Sequence, residues 1–216
     1  GLDGCLDDYS FMIWGLLNLY ENSFDIKYLE RAIALMSIMK KDFIDENGGF
    51  FISSKEQNNF IIRSKSIHDG AIPSGNSVAI MNLYRLGRIT GNRKWSNLAT
   101  KSLKTLTEQA KKFPTSFSFM FCGFMFEQEN PKELLIVANS LDSETKDSIK
   151  KFRSKYLPNT VILLKTPFNE KGLIKISPWI KEHFAINGKP TFYVCKNFSC
   201  ARPTTNIKSA LNLLND

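Results

Sequence analysis

The chain has 216 residues, 43% of them hydrophobic and 23% charged, with a formal net charge of +8. That is the balance of an ordinary globular protein with a full core, and it excludes collagenous, low-complexity and disordered chains. The longest apolar run, near Phe117 to Phe126, is shorter than the about 20 residues a bilayer span needs. No secretory leader pattern opens the chain, so a cytoplasmic location with no membrane partner is expected.

The charge is uneven. Residues 1–130 carry 15 Lys/Arg against 14 Asp/Glu, and residues 131–216 carry 14 against 7. The C-terminal lysines are scattered singly, without aromatic interleaving, which reads as a solvated face and not a nucleic-acid groove.

From Leu6 to Tyr20 apolar residues cover more than one face, as in an inner helix touched on two sides. Asp25 caps a one-faced outer helix carrying Leu29, Ile33 and Met36. Asp45 to Gly49 is turn chemistry, and residues 49–52 facing 59–62 predict a small hairpin. The polar stretch Asp69 to Ser77 then runs into a second inner helix, with Gly70, Pro73 and Gly75 as punctuation and Ser74, Asn76 or Ser77 as candidate caps. Asn92 opens a second outer helix, and Thr115 to Glu127 reads as a third inner helix, almost wholly apolar and expected to be buried. Asn18-Leu19-Tyr20 returns as Asn82-Leu83-Tyr84, so a period of roughly 65 residues carries one helix pair per cycle, an array of helical hairpins.

Past Pro131 the pattern changes. Leu134 to Ala138 and Val161 to Leu164 are strand-length apolar runs around a helix at Ser143 to Tyr156, a β-α-β unit with a parallel pair. Thr191 to Cys195 supplies a third strand and Ile207 to Leu214 a closing helix. The expected fold is mainly α with a small α/β part: helical hairpins over residues 1–130 and an α/β domain over 131–216.

Three stretches, Leu6 to Phe11, Asp69 to Ser77 and Tyr193 to Cys200, resemble the thioredoxin-domain-containing proteins related to spermatogenesis-associated protein 20. The resemblance implies an incomplete (α/α)6 toroid followed by a small α/β tail. It further implies that the chain is a C-terminal portion lacking the N-terminal thioredoxin-like domain, and with it any activity of that domain's redox motif. Such toroids are similar to six-hairpin glycosidases and sugar epimerases, which bind sugars in the funnel of inner helices, a fold-level analogy only. His68 departs from the family pattern, so no role for its imidazole is carried over.

The repeat independently sends both polar loops to one rim. There Asp8 and Asp69 are the candidate acid–base pair, since two neighbouring carboxylates in unequal surroundings titrate apart. Asp7, Tyr9, His68, Ser74, Asn76 and Ser77 are candidate contacts to a sugar or other small molecule. The plainer alternative is that the aspartates only complement helix N-termini. Cys195 and Cys200, a C-x4-C pair, lack zinc-ribbon and redox-turn spacing and are expected to be adjacent but unbonded thiols. No glycine-rich phosphate loop is present and no cofactor is expected. Two functions remain open: a sugar-modifying domain, or a non-catalytic scaffold serving the missing thioredoxin-like domain, with apolar inner-helix surface driving homodimerisation.

Overall fold

The computed structural model describes residues 4–56 and 62–215. Helix α1 (Leu6–Ser23) starts where the Asp8 carboxylate accepts the Cys5 N–H at 2.8 Å, and ends at Phe24 in the left-handed region. Helix α2 (Ile26–Asp42) is capped by Asp25, which accepts the Lys27 N–H, and carries Lys40 and Lys41 in its last turn against the negative end of the dipole. Helix α3 (Gly75–Thr90) is capped by Ser74 and closes at Gly91, whose φ of 71° suits glycine. Helix α4 (Arg93–Ala110) returns, and a 3-10 turn at Pro114–Phe117 leads into α5 (Ser118–Gln128). Of the expected hairpin, residues 59–61 lie outside the described residues. Around them Phe50 bridges Ile44 and the Ile52 N–H donates to the Ser64 carbonyl.

The three inner helices run in the same direction. Along α1 and α3, Asp7 meets Gly75, the Asn82 side chain donates to the Ser10 carbonyl at 2.8 Å, and Arg85 pairs with Glu21 at 2.9 Å. Along α3 and α5, Gly123 lies against Ile80 and Arg88 pairs with Glu127 at 3.0 Å. Helices α2 and α4 pack outside them, against α1 and α3 respectively.

The α/β layer follows as β1 (Lys132–Val137), α6 (Ser143–Arg153), β2 (Thr160–Lys165), α7 (Glu170–Ile176), β3 (Thr191–Lys196), β4 (Ser199–Cys200) and α8 (Ile207–Asn215). The sheet order is β2-β1-β3-β4: β1 pairs parallel with β2 and antiparallel with β3, and β4 folds back on β3. Central β1 is buried on both faces, which explains its unalternating Leu-Leu-Ile-Val. One hydrophobic cluster runs from α1 through α3 into the sheet and α8. Among the described residues no helix is long and apolar enough to cross a membrane.

Two expectations about the inner helices are corrected. Helix α1 buries a single face (Leu6, Ser10, Ile13, Leu17, Tyr20) and leaves Met12 58% and Leu19 49% exposed. Helix α5, read as buried because it is apolar all round, buries Met120, Gly123 and Phe126 and exposes Phe124 and Met125. Among the described residues the helix surrounded on every side is α3, which lies between two inner neighbours, α1 and α5.

Candidate functional site

The aspartate-rich loops do meet the inner helices at one end, where α1, α3 and α5 all begin. Their side chains are already engaged. Asp69 accepts the Ser74 N–H at 2.9 Å through one oxygen, and through the other the Phe119 and Met120 N–H groups at 2.8 and 3.1 Å. The carboxylate therefore caps α5 from a distant loop and holds the approach to α3, complementing the positive end of a helix dipole. Asp8 closes its own helix through the Cys5 N–H, which holds its carboxyl below the usual range. Asp7 faces Gly75 so closely that a Cβ there would collide with the carboxylate. Burial pushes the Asp7 carboxyl up, opposed by the Gly75 N–H and reinforced by the charge of Asp8.

Of the predicted contact residues, Ser74, Asn76 and Ser77 are likewise committed. Ser74 accepts the Ser77 N–H at 3.2 Å and donates to the Ser77 hydroxyl at 2.9 Å. Asn76 is not the cap: its amide accepts the Phe50 N–H at 2.8 Å and donates to the Phe50 and Ser66 carbonyls at 2.9 and 2.8 Å, tying the preceding loop to α3. Tyr9 packs on Phe43, and exposed His68 lies against Phe117 with ring centres 4.9 Å apart. A cleft of about 380 Å³ opens beside His68, lined by Glu108, Lys112, Phe113 and Phe117.

A second cluster, absent from the sequence reading, joins the helical and α/β layers. The Arg88 guanidinium holds both oxygens of Glu127 at 3.1 and 3.0 Å, one oxygen of Glu133 at 3.3 Å, and the Asn197 side-chain oxygen at 2.7 Å. The other Glu133 oxygen accepts the Phe198 N–H at 3.3 Å. Asn197 and Phe198 both adopt positive φ in the tight turn between β3 and β4, so the cluster anchors a turn that a Phe would ordinarily avoid. Burial pushes Glu133 up to about 7 despite that N–H and Arg88. A carboxyl poised near neutrality suits acid–base work. Glu133 is fully buried, however, so its geometry is that of an internal ion pair. The available signal was a glutamate at the head of an apolar strand run.

The third cluster corrects the cysteine expectation. The register of β3 and β4 sets Cys195 directly opposite Cys200, and the two are disulfide-bonded. Spacing alone left them as neighbours, whereas cross-strand pairing puts both sulfurs on one side of the hairpin. His183 approaches with Nε2 at 3.4 Å from the Cys200 sulfur. Its loop is pinned by buried Lys165, whose ammonium donates to the Ile180, Lys181 and His183 carbonyls at 3.3, 3.1 and 2.8 Å.

The chain is similar to spermatogenesis-associated protein 20 of Rattus norvegicus, 31% identical over 205 residues that make up 94% of this chain and 26% of that protein. Homology to that protein extends over nearly the whole chain. The Homo sapiens protein of the same name is 32% identical over the same shares. An uncharacterized protein of Caenorhabditis elegans is 29% identical over 97% of this chain and 28% of its own length. The chain thus spans about a quarter of the length of the curated relatives it matches. No family model matches it.

Proposed function

We propose that this chain is a non-catalytic scaffold module, one arc of a larger helical toroid, whose open edges dock further helical hairpins of a longer polypeptide. The observation that carries this reading is the commitment of the rim. Asp69, Ser74, Asn76 and Ser77 spend polar atoms on backbone amides, carbonyls or one another, and Asp8 spends one carboxylate oxygen on the Cys5 N–H. A group that already holds helix termini together moves only at the expense of the fold, so it is a poor acid, base or sugar ligand.

Three further observations support the docking half. The inner helices are parallel with outer helices behind them, the repeating unit of an α/α toroid. The flank of α1 away from α3 carries Met12 and Leu19 exposed, with Gly15 opening onto free space between them. The relatives are about four times as long as the matched region, so length for additional hairpins exists in proteins of this kind. A partner helix laying apolar side chains over the Met12–Gly15–Leu19 stripe would cover it by ordinary helix packing. The thioredoxin-like domain implied by the resemblance is a further candidate for what such a scaffold serves.

A sugar-modifying reading retains Asp7, whose carboxyl is raised by burial and accepts the Gly75 N–H, and exposed His68 beside its cleft. A monosaccharide and oligosaccharide panel screened by thermal shift separates the two. The scaffold reading expects no sugar to raise Tm, whereas a sugar that stabilises the wild type and fails to stabilise Asp7→Asn would replace it with the catalytic one. Docking is tested in the full-length protein, where Met12→Lys/Leu19→Lys should lower Tm by several degrees while leaving the isolated chain within about 1 kcal/mol of wild type. An unchanged full-length Tm would remove the docking surface.

A further inference from the structure

The Cys195–Cys200 pair lies outside both the rim and the Arg88 cluster, and its surroundings are more elaborate than a hairpin crosslink requires. His183 is half-buried, and its imidazole is set edge-on between Tyr193 and Trp179, with ring centres 4.6 and 5.9 Å away. Nδ1 is buried without a hydrogen-bond partner, and Nε2 faces the Cys200 sulfur at 3.4 Å. Lys165 fixes the loop that carries the ring. One ligand atom from each of His183, Cys195 and Cys200 lies within 4.8 Å of the others.

We propose that His183, Cys195 and Cys200 form a redox-gated site for a thiophilic divalent cation of the zinc type, closed by the disulfide and opened by its reduction. Two sulfurs and an imidazole are the donor set that selects zinc over magnesium or calcium. Bonds of about 2.3 Å to sulfur and about 2.1 Å to nitrogen place tetrahedral ligands roughly 3.5–3.8 Å apart, inside the present spread of the three atoms. Because both cysteines project from one side of the same hairpin, the sulfurs need only rotate apart. The fourth position falls to water, as in open three-ligand sites.

The gating step balances with a low-molecular-weight thiol as reductant. One thiolate attacks a disulfide sulfur and breaks the bond, forming a mixed disulfide. A second thiolate displaces the protein sulfur, releasing the oxidised low-molecular-weight disulfide and leaving two cysteine thiols. Cation binding then sends both thiol protons to solvent.

The test uses the chain with Cys5→Ser and Cys122→Ser, which removes the two other thiols. Oxidised and phosphine-reduced protein are each titrated with Zn2+ against a chromophoric chelator, and with Co2+ as a spectroscopic probe. The expected result is one Zn2+ per reduced chain, none per oxidised chain, thiolate-to-cobalt charge-transfer bands only after reduction, and at least a tenfold loss of affinity in His183→Ala. Equal binding by the oxidised and reduced forms, or reduced protein binding no more tightly than His183→Ala, overturns the proposal. The comparison of redox states leaves Cys195 and Cys200 themselves unsubstituted, and wild-type chain titrated in the same way checks the Cys5→Ser/Cys122→Ser background.

Discussion

Helices α3 and α5 invert the usual relation between composition and burial. Helix α5 reads Ser-Phe-Met-Phe-Cys-Gly-Phe-Met-Phe and exposes Phe124 and Met125, while α3 includes Asn76, Asn82, Arg85 and Arg88 and is buried along almost its whole length. The difference lies in neighbours. Helix α3 has α1 on one side, α5 on the other, α4 behind and the sheet at its end, and each polar residue named has a partner among them or in the loops they carry. Helix α5 packs chiefly on α3. Burial is thus a property of position in the array, and an apolar helix at its edge keeps apolar side chains exposed.

The sharpest way to break that comparison is to truncate one side chain in each helix. Leu83→Ala should destabilise the chain by about 4 kcal/mol, because fully buried Leu83 leaves a cavity in a packed site. That lowers Tm by roughly 8–16 °C in a domain of this size. Urea unfolding giving a loss below about 1 kcal/mol would mean that α3 is not the centre of the core.

The Arg88 cluster gives a pH signature specific to the junction at the end of α3. Glu133 titrates at about 7 in the fold against an ordinary value of 4.5. Its folded pKa is raised, so its contribution to stability is fully present below about pH 4.5 and is lost as pH rises through about 7, by about 3 kcal/mol. Glu133→Gln should flatten that part of the stability profile. A variant with the wild-type slope across this window would assign the slope elsewhere.

Asp69→Ala removes the acceptor shared by the starts of α3 and α5 and should cost about 2 kcal/mol, with Asp69→Asn milder because its amide oxygen still accepts. Amide exchange should quicken first at Phe119 and Met120, and protection unchanged there would contradict the capping role. Cys195→Ser/Cys200→Ser closes no loop in the unfolded chain and should lose about 2 kcal/mol or less, since the crosslinked loop is short. Thermal melts under oxidising conditions measure it. The smallest effect belongs to the edge: Phe124→Ala in the isolated chain should stay within about 0.5 kcal/mol of wild type, because a 41% exposed ring gives up little on truncation.

Local chemistry was legible in the sequence wherever cause and effect sit within a few residues. Asp25 and Ser74 cap the helices that follow them, the strand-length runs became β1, β2 and β3 with β1 and β2 parallel, and the Tyr20–Tyr84 repeat falls on two buried tyrosines. The short helix α7 and strand β4 escaped because a seven-residue helix and a two-residue strand carry almost no periodicity. What only the tertiary structure decided is the pairing of distant groups: Asp69 with the α5 amides, Arg88 with Glu133 and the β3–β4 turn, His183 with the two sulfurs, and α3 with neighbours that enclose it. Each depends on which elements become neighbours, and hydrophobic burial, being proportional to area and blind to direction, leaves that choice to the packing of the whole chain.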